Sequence, residues 1–453
     1  MLESRPTRRT ARRAALTAAA AILGLTPGCG GEEARLNEVG EEYVRLCLAL
    51  DVRDPGFVDA YSGPAGWREE AREEGLPLTG LRQRIRRLAD RVAAEDPALP
   101  RVIFLRGQVR ALETRVRLLM GEQMSFTQEV EGLYGFTPRR TPRSDLEKVH
   151  EELDDLMPGR GPLPERVRAW DQQFEVEPER ILPLFRETAR TCRLRTRTIL
   201  PLPIGEQVNL SLVTDKPWSA YNWYQGDGIS NIEINTDLPR RVNNILHYVA
   251  HEAYPGHHTE LTLRDELLAG EKGWAEYLVY PLYSPQSHIS EGGADLGVEM
   301  IFTPEEIEAF YRETVLPAAG LSSGVDVPRM LRVLELRSFL GHAAENAAFM
   351  LFEEQADDRE AEEYLERWAL MSEAEAAQRV DFMRTYRGYV FNYRTGYELV
   401  RGFVTGGDAD RTIQLERFRL IWTTPVSPGL LARWVEAARP VPTSKEPDPR
   451  PGG

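Results

Sequence analysis

Apolar residues recur at spacings of three and four from Glu33 to about Leu200. Val102, Leu105, Val109, Leu112, Val116 and Leu119 form one such stripe, which predicts a helix of about five turns. Shorter stripes run through Leu36–Leu50, Leu146–Leu156 and Ile181–Ile199, punctuated at Pro55-Gly56, Ser62-Gly63-Pro64 and Pro158–Pro164. This half reads as a helical wall. The texture changes at Pro201-Leu-Pro-Ile-Gly205. Val208–Val213 and Ser219–Gln225 are rich in β-branched and aromatic residues, Gly226-Asp-Gly228 marks a turn, and Asn231–Asn235 alternates polar and apolar faces. A small antiparallel sheet is expected there. Thr236-Asp-Leu-Pro239 then predicts a helix start, with Asp237 or Thr236 as cap and Pro239 in the first turn. Thr303–Gly402 is helical again. The fold class is therefore mainly α, with a small antiparallel sheet placed before the helix at 237.

The 453 residues suffice for a large core, and the expected organisation is a leader at 1–28, a flexible tether at 29–35, a helical region at 36–200 and a second region at 201–439 in the same compact unit. The Pro-rich, charged segment 440–453 is expected to be disordered. Net charge is −15 despite a basic N-terminus, which argues against a nucleic-acid partner. The arginines before residue 14 and the run Ala14–Leu25 have the form of a secretory signal, too short to span a bilayer permanently. Cys29 stands where a bacterial lipoprotein carries its lipid, although Thr26 holds the place where leucine is usual. The expected location is outside the cytoplasm, periplasmic or at the cell surface, with membrane contact only through that anchor. Cys47 and Cys192 lie in helix-like segments and read as buried thiols or as one disulfide.

Chemistry concentrates in His247–His258, which holds four of the seven histidines. Each buried imidazole needs partners for two ring nitrogens, and convergence on a metal meets that need. His251-Glu252 on a helix, followed by another histidine, is how zinc peptidases set a ligand beside the carboxylate that activates water. The spacing departs from that pattern, because residue 255 is proline and the next histidines stand six and seven places on, about 9–10 Å along an unbroken helix. Pro255 cannot donate to residue 251 and Gly256 tolerates unusual backbone angles, so a bulge is expected to return His257, or in its place His258, to the metal. His247 and His251, one turn apart, are a further possible ligand pair.

The run His251-Glu-Ala-Tyr-Pro-Gly-His-His258 resembles the hallmark of the bacterial "domain of unknown function 885" family, itself similar to helical gluzincin-type zinc metallopeptidases. Ser290-Glu-Gly-Gly-Ala-Asp-Leu-Gly-Val-Glu299 and Phe391-Asn-Tyr-Arg-Thr-Gly396 extend the resemblance over residues 200–405. The family commonly carries an aromatic residue where Gly293 stands. The resemblance implies a large helical metallopeptidase-like domain with bound zinc.

Glu291 is the expected third ligand, with Asp295 one turn later to orient a ligand and His288 as a supporting or alternative one. Gly292-Gly293 weakens a helix and suggests close approach of backbone to metal or substrate. Tyr386, Tyr389, Tyr393 and Tyr397 form a stripe at helical spacing. Within it, Tyr393 and the neighbouring Arg394 are the candidate donors to an oxyanion. His342 reads as a hydrogen-bonded core residue. Two function classes follow: a zinc peptidase acting on peptide substrate with Glu252 as general base, and a metal-stabilised binding lipoprotein without catalysis. A zinc hydrolase of non-peptide amides or esters would use the same residues.

Overall fold

The computed structural model describes residues 30–321, 324–407 and 409–437. The leader segment, Cys29 and the segment 440–453 lie outside the described residues. The molecule is mainly α, 68% helical, with two small sheets. Among the described residues no helix is long and apolar enough to cross a membrane.

The helical wall forms where the stripes place it. Helix α1 spans Gly30–Asp51, α2 Pro100–Leu119 and α3 Pro178–Ile199. Val102, Leu105, Val109, Leu112 and Val116 of α2 are each at most 2% exposed, and each buried side chain of this kind contributes about 1.5–3 kcal/mol. The expected tether is helical from Gly30 onward. Its physical cause is tertiary: Glu33 accepts from Arg101 Nη1 at 3.0 Å and Trp274 Nε1 at 2.6 Å, and Arg35 grips Glu95 at 2.8 Å. Cys47 on α1 and Cys192 on α3 are separate, buried, free thiols.

Strand β1 (Val58–Tyr61) pairs antiparallel with a short strand at Val279–Pro281. The second sheet comprises β2 (Gln207–Val213), β3 (Ala220–Gly226) and β4 (Ile229–Asn235), in the order β2-β4-β3. The β3–β4 hairpin is antiparallel as expected, and β2 joins the other side of β4 in parallel register. β3 is thus an edge strand.

Helix does not begin at Thr236. The Asp237 carboxylate accepts from the backbone N–H groups of Asp215 and Lys216 at 3.0 and 3.2 Å, closing a loop rather than capping a helix. A 3-10 turn at Val242–Asn244 leads into α4, Ile245–Glu252, and α5 follows at His257–Leu263. Helix α6, Pro285–Ile301, starts at Ser284, whose hydroxyl caps Ser287 N, and it is buried along nearly its whole length.

Against α6 pack α9 (Arg394–Thr405) and α10 (Arg411–Thr423), while α7 (His342–Phe352) and α8 (Glu373–Tyr386) pack on the segment that precedes α9. Gly292 and Gly293 owe their place to this packing. A Cβ on Gly292 would overlap the Gly396 carbonyl of α9, and one on Gly293 would overlap the Trp422 ring of α10. The two glycines therefore admit neighbouring helices, not a metal or substrate. The tyrosine stripe is not one helix either: α8 ends at Tyr386, Arg387 takes φ 51°, and a 3-10 segment at Arg387–Asn392 carries Tyr389.

Candidate metal centre

Helix α4 presents His251 and Glu252 at its last turn, and the chain then bulges. Gly256 N donates to Ala250 O at 2.9 Å and Thr259 N to Ala253 O at 3.2 Å, each a six-residue reach in place of the helical four. A Cβ at residue 256 would run into the His251 carbonyl oxygen, so only glycine permits this closure. His257 thereby returns to the face of His251.

The two Nε2 atoms stand 3.1 Å apart. Glu291, from α6, completes a trio: its Oε2 is 3.2 Å from His251 Nε2 and its Oε1 is 3.5 Å from His257 Nε2. Ligands at about 2.1 Å around a tetrahedral ion are separated by about 3.4 Å, so the trio has the spacing a metal requires. Glu291 Oε2 is buried with no hydrogen-bond partner, which a metal would supply. The cluster is thus compatible with a metal ion.

The other ring nitrogens are held from behind. His251 Nδ1 is 2.7 Å from Asp295 Oδ1, and His257 Nδ1 is 3.1 Å from Ser290 Oγ. The Ser290 hydroxyl donates in turn to Glu260, which pairs with Arg264 at 2.5 Å. His247 Nε2 reaches Asp295 at 3.5 Å, so His247, His251 and Asp295 form a second cluster sharing one histidine. The first trio faces the cavity together with Glu252, and His247 and Asp295 do not line it.

Electrostatics favour a cation at the trio. Burial works against the charged form of each imidazole, yet Asp295 and Glu291 outweigh it at His251, and Glu291 with Glu260 raises His257 to about 10. Glu291 resists its own burial and is held far below the usual carboxylate range by the two imidazoles. Glu252 is pushed up by burial, against the pull of His251 and His257.

Several expected residues stand elsewhere. His258 points to the opposite side, with Nδ1 2.8 Å from Ser230 Oγ and Nε2 3.2 Å from Glu206 Oε2, because the bulge leaves successive side chains on different faces. Glu206 also accepts from Tyr254 and Arg193, each at 2.6 Å. His288 lies outside the trio: its Nδ1 is 3.1 Å from Asn392 Oδ1, its ring stacks on Phe136, and burial lowers it to about 4. Arg394 is turned from the cavity toward Glu398, at 3.3 Å, and lies over the Tyr397 ring. Tyr393 does line the cavity, near the His251 ring. His342 is a buried core residue bonded to Glu345 and Glu398 at 2.7 and 3.0 Å.

The cavity includes residues that the sequence did not single out. Asp59 comes from β1, and Asn222, on β3, donates Nδ2 to the Glu252 carbonyl at 2.7 Å. Tyr389 donates to Glu291 Oε1 at 2.6 Å. The tyrosine stripe was the available signal for Tyr389, and nothing local marks Asp59.

No protein-family model and no curated protein matches the chain. Among solved structures it is similar to a putative lipoprotein from Colwellia psychrerythraea, at 14% identity and a TM-score of 0.49, covering 82% of this chain and 72% of that one. A putative lipoprotein of unknown function from Shewanella oneidensis gives 12% and 0.46, covering 81% and 75%. Trypanosoma cruzi metallocarboxypeptidase 1 gives 13% and 0.36, covering 90% and 95%. The functional reading rests on the geometry of the site itself.

Proposed function

We propose that the chain is a zinc-dependent peptidase in which His251, His257 and Glu291 hold the metal and Glu252 is the general base. The observation that carries this reading is the convergence of His251, His257 and Glu291, whose donor atoms lie within 4.8 Å of one another, beside an uncommitted carboxylate in the same cavity. Two imidazoles and one carboxylate suit zinc. His258 is engaged by Glu206 and Ser230, so it does not fill a fourth position, which favours catalysis over a closed structural site.

Zinc held by His251, His257 and Glu291 would supply Lewis acidity, polarising a carbonyl and lowering the pKa of water to about 7. Glu252, buried beside the trio, takes the proton of the attacking water and passes it to the leaving amine. Burial keeps the Tyr393 hydroxyl protonated, so it serves as a donor to the developing oxyanion. The edge strand β3 contributes Ala220, Tyr221 and Asn222 to the cavity wall, which suits an extended peptide aligned beside it. The basic, then apolar N-terminal segment and Cys29 support an activity outside the cytoplasm, secreted or on a lipid anchor.

Metal analysis of the purified protein, combined with digestion of a broad peptide library before and after chelation, tests the proposal. One zinc per chain and chelator-sensitive cleavage are expected. Stoichiometric metal with no peptide cleaved would refute the peptidase, and no transition metal would refute the site.

A further inference from the structure

Two acceptors in the cavity are committed to neither the metal nor the base. Asp59 reaches the wall from β1, held by the Tyr221 hydroxyl, which donates to it. Asn222, 7% exposed, gives its Nδ2 to the Glu252 carbonyl, and its Oδ1 has no hydrogen-bond partner. A buried, unpartnered carbonyl oxygen is unfavourable, and a donor from a ligand would satisfy it. Tyr386, Trp218 and Phe382 supply aromatic surface in the same wall.

Among the described residues no lysine or arginine lines this cavity, while Asp59, Glu252 and Glu291 do. A free peptide C-terminus would meet carboxylates and acceptors along that wall, with no lysine or arginine to receive it. A cationic group would meet the reverse. Burial, which the Tyr221 hydrogen bond partly offsets, pushes the Asp59 carboxyl up to about 6, so a positive neighbour would relieve an unfavourably buried charge.

We propose that Asp59 and Asn222 Oδ1, with the surrounding rings, form a subsite for a substrate ammonium group, contributed by a free peptide N-terminus or by a lysine side chain. Asp59 supplies the opposite charge, Asn222 Oδ1 an acceptor, and the ring faces a cation–π surface. The subsite deepens the peptidase reading and rests on it for the name of the ligand, but it can be measured without turnover.

Calorimetric titration of the metal-loaded full chain with three amides tests it. Leucinamide carries only an α-ammonium, Nα-acetyl-lysinamide only a side-chain ammonium, and N-acetyl-leucinamide neither. At least one charged amide should bind tenfold or more tightly than the neutral one, and which of them does so names the source. Asp59→Asn should reduce that ratio to within about twofold of unity. Equal binding of all three amides by the wild type would overturn the subsite without need of a variant, and so would a ratio retained in Asp59→Asn. Failure of the peptidase reading shows differently, as selective ammonium binding by a protein that cleaves no peptide.

Discussion

Asp295 Oδ1 lies 2.7 Å from His251 Nδ1, while His251 Nε2 faces Glu291 and His257, the other two members of the candidate trio. That bond fixes the Nδ1–H tautomer and directs the Nε2 lone pair toward Glu291 and His257. Asp295→Asn should therefore lower metal affinity by about 10–100-fold with little change in fold, measured by competition with a chromogenic chelator. Unchanged affinity would show that the ring needs no such support.

His257 and His258 are adjacent in sequence and separate in role. His257→Ala removes a trio member and should abolish stoichiometric metal. His258→Ala should leave metal bound and cost about 1–3 kcal/mol of stability, since Glu206 and Ser230 lose a buried partner. Paired metal analysis and denaturant unfolding separate the two, and metal loss in the His258 variant would reverse the assignment.

The bulge itself is testable at Gly256. An alanine Cβ would overlap the His251 carbonyl and lie 2.5 Å from that of Ala250, and backbone cannot withdraw as a flexible side chain can. Gly256→Ala should lower stability by about 3 kcal/mol and reduce metal content together. Retention of both would mean that the turn tolerates a side chain.

What the sequence carried was local. Apolar periodicity placed α2 almost to its ends, and Pro255-Gly256 between histidines carried the bulge, because both depend on residues a few positions apart. Asp59 and Asn222 could not be seen, since strands far apart in the chain bring them to Glu252. The role of Gly292 is hidden for the same reason: the backbone it admits belongs to Gly396, over a hundred residues later. Arg394 shares a motif with Tyr393, but Tyr393 stands in the turn before α9 and Arg394 opens that helix, where Glu398 one turn on holds it off the site.

His342 gives stability a pH dependence of known sign. Burial would lower this imidazole, but Glu345 and Glu398 outweigh it and raise it to about 9 from an ordinary 6.5. A raised folded value means the contribution is complete below pH 6.5 and is lost as pH climbs to about 9. The loss should be on the order of 1–3 kcal/mol, given that Glu398 is half exposed. Denaturant midpoints over that range should fall in the wild type and stay flatter in His342→Gln.

The central claim is that Glu252 moves a proton beside a metal that three other residues hold. Glu252→Gln keeps the shape of the side chain and leaves His251, His257 and Glu291 in place, yet its amide cannot accept a proton from water. Turnover of the best library peptide by the metal-loaded variant, with zinc content measured on the same sample, tests this most directly. The predicted result is one zinc per chain with turnover lowered by about 10²–10⁴-fold. Full turnover at full zinc occupancy would contradict it.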